Sequence, residues 1–112
     1  MTTKTVPTYW AEIAIAGNYD DAVRVCRSFC DIGLCVTIQR VDYVYTRGVE
    51  AGVIVRLINY PRFEAPPDSI LDRAMALADR LREDLFQDSY TIITPTETHW
   101  VSMRTEDARR VK

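Results

Sequence analysis

The sequence is poor in the residues that mark several common classes of protein. Its 112 residues include four glycines, three cysteines and a single histidine. No phosphate-binding loop and no dinucleotide fingerprint occurs, because Gly48 and Gly52 are too sparse to cradle a phosphate. The formal net charge is only −2, which argues against a dedicated nucleic-acid binder with its usual basic excess. We therefore expect no nucleic-acid partner.

Long apolar runs are also missing, so we expect no membrane span. Residues 1–7 contain one lysine and no apolar stretch, which predicts no signal peptide. The cysteines, Cys26, Cys30 and Cys35, are odd in number and show no C-x-x-C spacing. Free thiols in a reducing cytoplasm explain them best, and we expect neither a metal nor a cofactor.

The composition that remains is typical of one globular domain. Hydrophobic residues make up 47% of the chain and charged residues 27%. We expect a flexible N-terminus over residues 1–8, a single domain over residues 9–103, and a flexible polar tail over residues 104–112.

Hydrophobic periodicity predicts four strands and two helices. The strands are Tyr9–Ala16, Leu34–Thr46, Val53–Tyr60 and Tyr90–Thr94, and the helices are Asp20–Ile32 and one that begins near Ser69. Asn18 and Ser69 are the predicted helix caps, and Gly33 is expected to take a positive φ after the first helix. A longer hairpin loop, Arg47–Gly52, is expected to join the second and third strands.

The order β-α-β-β-α-β predicts an α+β, ferredoxin-like fold with two helices on one face of a four-stranded antiparallel sheet. Right-handed crossovers place the first and third strands in its centre. The sequence does not decide the structure of the segment His99–Met103. It is either a short fifth strand that lengthens the sheet or an arm swapped onto a neighbouring chain.

The second face of this sheet is expected to be open and strongly apolar. Alternation places there Trp10, Glu12 and Ala14 of the first strand and Ile54, Arg56, Ile58 and Tyr60 of the third. The second strand adds either Thr37, Gln39, Val41, Tyr43 and Tyr45 or the complementary set. Such a patch indicates a partner. Glu12 and Arg56 are expected to pair across neighbouring strands.

Residues 59–63, Asn-Tyr-Pro-Arg-Phe, follow a central strand. These residues could bind a ligand at the end of the strand. Alternatively, they form a turn in which Tyr60 and Phe63 close the end of the core. The predicted binding residues are therefore Trp10, Glu12, Tyr43, Tyr45, Arg56, Ile58, Tyr60 and Arg62. No catalytic residue is assigned, because nothing in the sequence pairs His99 with a nucleophile.

Three functional hypotheses follow. The first is a non-enzymatic interaction module that acts through its open sheet face as a homodimer, with a small ligand allowed. The second is an accessory or inhibitor protein that docks this face onto a different protein. The third is an enzyme whose site forms between subunits around Glu12, Arg56, Asn59 and His99.

Residues 13–39 resemble small ligand-sensing domains of the ACT type. The resemblance rests on a strand, Gly17, a helix, Asp31-Ile32-Gly33-Leu34 and a second strand. It implies the same β-α-β-β-α-β order and a type of domain that binds amino acids at dimer interfaces. Where those domains have a proline–glycine pair this chain has Asn18-Tyr19-Asp20-Asp21, so no binding residue is transferred.

Overall fold

Alternating apolar residues form the strands of this protein, and apolar residues three and four apart form its helices. The computed structural model describes residues 1–109. The strands are β1 (Trp10–Ala16), β2 (Thr37–Tyr45), β3 (Gly48–Ile58), β4 (Ser89–Ile93) and β5 (Thr98–Ser102). The helices are α1 (Tyr19–Phe29), α2 (Pro67–Asp84) and α3 (Thr105–Ala108).

The strands form one antiparallel sheet in the order β2-β3-β1-β4-β5. The residues described thus give an α+β fold with five strands and three helices. The expectation of a four-stranded sheet needs correction, because the segment that the sequence left open forms β5. This strand pairs with β4 of its own chain, from Ile93 opposite Thr98 to Ser89 opposite Ser102, and is therefore no swapped arm.

The core lies between the sheet and the helices α1 and α2. Every second residue of β1 and of the paired part of β3 is buried there, and α2 adds one apolar stripe. The largest fully buried side chains are Ile13, Val53, Val55, Leu57, Leu77, Leu81 and Ile92. Burial of each such side chain stabilises the fold by about 1.5–3 kcal/mol. Neither α1 nor α2 covers the opposite face of the sheet.

Two of the three predicted helix-end signals are confirmed. The side chain of Asn18 accepts a hydrogen bond from the Asp21 amide at 3.0 Å, which caps α1. Gly33 has a φ of 96° after a 3-10 turn that continues α1. The predicted cap at Ser69 is wrong, because α2 already begins at Pro67. Proline suits a first helical position because its ring already fixes a helical φ. It also has no amide hydrogen, and an amide hydrogen at this position would have no hydrogen-bond partner within the helix.

The predicted loop Arg47–Gly52 is also wrong. Strand β2 continues to Tyr45 and β3 begins at Gly48, so only two residues form the turn. Arg47, the second turn residue, takes a φ of 67°, a left-handed conformation that is uncommon for residues other than glycine, asparagine and aspartate. Gly48 and Gly52 lie inside β3, where a Cβ atom would collide with the rings of Tyr45 and Tyr43. These glycines make room for tyrosine rings, an arrangement also used in designed sheets.

Segments near both ends of residues 1–109 contact the domain. The side-chain amide of Asn59 donates to the Pro7 carbonyl at 2.9 Å, so the N-terminal segment is fastened at the end of β3. The predicted polar tail begins with helix α3, whose buried Asp107 accepts a hydrogen bond from Ser102. Residues 110–112 of that tail lie outside the described residues. Within the described part, no helix is both long and apolar enough to cross a membrane.

Candidate functional site

Strand register determines which side chains occupy the open face of the sheet. Glu12 stands opposite Arg56, and Arg56 stands opposite Thr37. The β2 residues on this face are therefore the set Thr37, Gln39, Val41, Tyr43 and Tyr45, which resolves the alternative that the sequence left open. The complementary set includes Ile38, which stands opposite the buried Val55 and packs against the core.

The predicted pair of Glu12 and Arg56 is confirmed. The Arg56 Nε lies 3.7 Å from the Glu12 Oε1, and the guanidinium carbon lies 5.2 Å from the centre of the Trp10 ring. The carboxylate is 27% exposed and the guanidinium side chain 45%. An ion pair at this exposure contributes about 0–1 kcal/mol to folding. Both charges are therefore available to a ligand or partner that covers the face.

The far side of the sheet enlarges the open face with residues that the sequence did not assign. Trp100 stands opposite Thr91, which stands opposite Ala14 in the centre of the sheet. Ile93 in turn stands opposite Glu12. The Trp100 side chain is 47% exposed. One signal for Trp100 was visible in the sequence, the short segment His99–Met103, but its place in the sheet was left open.

The end of the β2–β3 hairpin extends beyond the rest of the sheet. Strand β1 pairs with β3 only from Gly52 to Ile58, so the pairs between Gly48–Ala51 and Asp42–Tyr45 have no third strand beside them. The radius of gyration is 15.1 Å, larger than the value of about 13 Å for a compact chain of this length. Val44 and Val49 are exposed on this end. The hairpin therefore offers apolar surface to a partner.

Two tyrosines and a carboxylate lie on this hairpin. The Tyr43 hydroxyl donates to the Val53 carbonyl at 2.7 Å, and burial raises the pKa of Tyr43. Partial desolvation of the hydroxyl and the nearby Glu50 carboxylate also raise the pKa of Tyr45, because both disfavour the phenolate. Sequence reasoning did not single out Glu50. A two-residue turn would have placed it opposite Tyr43, as the register does.

Tyr60 does not lie on the open sheet face, where the sequence analysis placed it. It lies with Arg62 in the segment that follows β3. Strand β3 ends at Ile58, so Tyr60 does not extend the strand pattern of the open face. Its ring stacks on Phe63 with centroids 6.3 Å apart, and the Arg62 guanidinium carbon lies 5.4 Å from the centre of the Phe63 ring. Pro61 turns the chain here, because its ring fixes φ and it cannot donate to a ladder. The three side chains border a cavity at the end of the sheet.

The four residues of the interface-enzyme hypothesis do not come together within one chain. Asn59 is buried, and its side-chain oxygen accepts a hydrogen bond from the Ala65 amide at 3.0 Å. Asn59 therefore holds in place the loop that leads into α2. His99 stands opposite Ile92, whose side chain is in the core, so His99 lies on the face opposite to Glu12. Its Nε2 is 3.2 Å from the Glu97 Oε2.

The thiols show three different environments. Cys26 is buried, Cys30 is partly buried and Cys35 is exposed, and none is in a disulfide. Burial raises the pKa of Cys26 to about 11, with a smaller contribution from Cys30. Cys26 is therefore a protonated core residue at neutral pH. Within residues 1–109, no group of three or more histidine, cysteine or acidic side chains is arranged to hold a metal ion.

Comparison with known proteins places this chain by its fold. No family model matches it, and no curated protein matches its sequence. A phage SAM lyase in the apo state is similar, with a TM-score of 0.66, 18% identity and coverage of 84% of this chain and 88% of that chain. A phage SAM lyase in complex with S-methyl-5'-thioadenosine has a TM-score of 0.61 and 19% identity over 91% of this chain and 95% of that chain.

A third similar structure is CutA1 from Oryza sativa, with a TM-score of 0.52 and 17% identity over 95% of this chain and 90% of that chain. At these identities the likeness is one of fold. It extends over nearly the whole chain in all three comparisons, so the mixed α+β architecture is shared as a unit.

Proposed function

We propose that the protein is a small oligomeric enzyme that binds S-adenosylmethionine and cleaves it as a lyase. The observation that carries this proposal is the fold likeness to two phage SAM lyase structures, one of which contains S-methyl-5'-thioadenosine. We take the layout of the sheet and of its two covering helices to be the ferredoxin-like one that the sequence predicts. The three free thiols suit the cytoplasm, which is where we place the enzyme.

The chemistry of this substrate sets what a site must provide. S-adenosylmethionine carries a positive sulfonium between a flat adenosine and a four-carbon amino-acid arm. When the bond from sulfur to the arm breaks, the bonding electrons stay on sulfur and neutral S-methyl-5'-thioadenosine leaves. In the same step the arm either forms a ring, in which its own carboxylate oxygen bonds to the carbon that sulfur leaves, or loses a proton from the neighbouring carbon and gains a double bond; no water is added. A site therefore needs aromatic surfaces and carboxylates that hold the cation in a reactive conformation.

The open sheet face and its hairpin supply these groups. The Glu12 carboxylate lies near the Trp10 and Arg56 side chains, and Glu50 lies beside Tyr45 on the projecting end. An indole or phenol ring offers a face to adenine or to the sulfonium. Arg56 would meet the carboxylate of the amino-acid arm, since a guanidinium binds carboxylates well. We assign Glu12 and Glu50 as the groups that hold the cation.

Self-association completes this site in our proposal. The open face is exposed in a single chain, and a cation held there by one carboxylate would remain in water, where charge interactions are weak. A second copy that covers the face would exclude water and bring its own hairpin against the first chain. Ile58 and Trp100, both about half exposed, are the apolar surface that such contact would bury. A homodimer or a larger closed ring satisfies this requirement.

The direct test is release of S-methyl-5'-thioadenosine from S-adenosylmethionine by the purified chain, followed by chromatography. We expect the wild type to release it, and we expect Glu12→Gln and Glu50→Gln to slow the release at least tenfold, or about 1.4 kcal/mol of transition-state stabilisation. Glu83→Gln and Glu97→Gln are matched controls, because these carboxylates pair with Arg82 of α2 and with His99, away from the open face. Equal loss in all four variants, or no release and no binding of the thioether by wild type, would refute the proposal.

A second candidate is the non-enzymatic interaction module that the sequence favours. The apolar open face supports it, because single chains rarely leave such a surface uncovered. In this case the face buries a second copy, or it docks as an accessory or inhibitor protein onto a different one. The wild type would then self-associate or capture a partner while neither binding nor cleaving S-adenosylmethionine.

A further inference from the structure

A cavity at the end of β3 shares only Ile58 with the surface used in the function proposed above. It lies between the loop that follows α1, the turn that follows β3 and the first turns of α2. Its volume is about 340 Å³, within the range of small-molecule sites in proteins. The lining residues outside the polar rim are Gly33, Leu34, Leu57, Ile58, Phe63, Ala65 and Ile70.

The inner part of this cavity is apolar and rigid. Leu57 belongs to a central strand and Ile70 to the first turns of α2, and both are almost completely buried. At the mouth, the stacked rings of Tyr60 and Phe63 are 45% and 66% exposed. Two aromatic rings left in water beside an apolar cavity would gain from contact with a flat ligand.

The charge around this cavity has one sign. Arg62 and Arg73 line it, and no acidic side chain does so among residues 1–109. Within the same residues, neither arginine is in an ion pair. The chain as a whole is slightly acidic, with a formal net charge of −2. Two uncompensated guanidinium groups at the mouth of an apolar cavity therefore select an anion, and guanidinium binds carboxylates in pairs of hydrogen bonds.

We propose that this cavity is a binding site for a flat aromatic carboxylate, distinct from the site for S-adenosylmethionine. The ring system enters between the Tyr60–Phe63 stack and the apolar inner wall. Its carboxylate meets Arg62 and Arg73 at the mouth. A cationic ligand such as a sulfonium would be repelled by the same arginines, which separates this site from the carboxylates of the open sheet face.

Two thiols provide a built-in reporter of occupancy. Cys30 and Cys35 both line the cavity, and Cys35 is exposed to solvent. Burial and the neighbouring Cys35 raise the pKa of Cys30, so Cys35 is the thiol we expect to react faster with an alkylating reagent. A bound ligand would shield both sulfurs. Cys26 is buried in the core and serves as the internal reference.

The experiment compares 2-naphthoate with its neutral amide, 2-naphthamide, on the full chain. Binding is measured by calorimetry, and alkylation of each cysteine by N-ethylmaleimide is followed by peptide mass spectrometry. We expect 2-naphthoate to bind at least tenfold more tightly than the amide and to slow the alkylation of Cys35. The double variant Arg62→Gln/Arg73→Gln should lose this preference, whereas Arg27→Gln, an exposed arginine of α1, should keep it.

The proposal fails if the acid and the amide bind equally, or if Cys35 is alkylated at an unchanged rate. It also fails if Arg27→Gln weakens binding as much as the double variant. Displacement of 2-naphthoate by S-methyl-5'-thioadenosine would merge the two sites and overturn the claim that they are distinct. Glu12→Gln should bind 2-naphthoate like the wild type, so a failure of the lyase proposal leaves this one testable by itself.

Discussion

Individual polar side chains in this protein differ in whether the fold already satisfies them. The amide of Asn59 is buried and bonded to two backbone segments, so it acts as a structural tie. The hydroxyl of Tyr90 is likewise held, donating to Asp79 at 2.7 Å. Glu12 and Glu50 instead keep exposed carboxylates with loose partners. This contrast, rather than residue type alone, separates the candidate binding groups from the structural ones.

The buried thiol of Cys26 makes the stability of the fold sensitive to alkali. Its pKa rises from 9.0 to about 11 in the fold, so between these values the unfolded chain binds fewer protons and the free energy of unfolding falls as pH rises. Between about pH 8 and pH 10.5 we expect the wild type to lose about 2 kcal/mol more than Cys26→Ala. Urea titrations at both pH values measure this, and equal losses in the two proteins would contradict it.

Secondary-structure elements follow their local sequence most closely where no other element competes. Alternation along β1 and the Asn18 cap of α1 are visible in the sequence because each depends on neighbours a few residues away. The hairpin turn was missed, since the glycines that indicate a loop serve the rings of Tyr43 and Tyr45 on the adjacent strand. The cap of α2 was misplaced by three residues, at Ser69 instead of Pro66, because Pro67 and Ser69 are both acceptable residues for the start of a helix.

Substitutions at the two predicted caps should separate a real cap from an apparent one. Asn18→Ala removes the side-chain oxygen that accepts from the Asp21 amide, and we expect it to lower the free energy of unfolding by about 1 kcal/mol. Ser69→Ala should stay within about 0.5 kcal/mol of wild type, because Ser69 lies inside α2 and caps nothing. Chemical denaturation of both variants tests this, and a larger loss at Ser69 would show that α2 begins later in solution.

At the scale of the whole molecule, α1 and α2 cover one face of the sheet, and neither covers the other, bare face. This asymmetry was predictable, since an α+β chain with two amphipathic helices can protect only one side. The composition of the bare face was predictable only in part. Trp10, Glu12 and Arg56 follow from alternation, whereas Trp100 depends on a strand that the sequence left unassigned. Tyr60 lies elsewhere, because the pairing of β3 with β1 ends at Ile58, opposite Trp10, and strand alternation cannot show where pairing ends.

Light scattering after size exclusion tests whether the bare face is an interface. We expect the wild type to elute as a multiple of the 12.9 kDa chain and Ile58→Asp to elute as a monomer, because a buried carboxylate would be uncompensated. Phe86→Asp is the matched control, since Phe86 is exposed beyond the end of α2 on the helical side. An oligomer that survives Ile58→Asp would move the interface to another surface. A monomeric wild type would show that the face awaits a different partner.

The fit between Tyr43 and Gly52 has a consequence for ancestry. The Tyr43 ring and the Ile15 carbonyl both occupy the space that a side chain at position 52 would need, so position 52 must stay glycine, and a smaller residue at position 43 would leave a gap over it. Related sequences should therefore keep both Tyr43 and Gly52 even where most other positions have changed. A tyrosine in one strand and a glycine nine positions later would then serve as a marker for distant kin that overall identity fails to reveal.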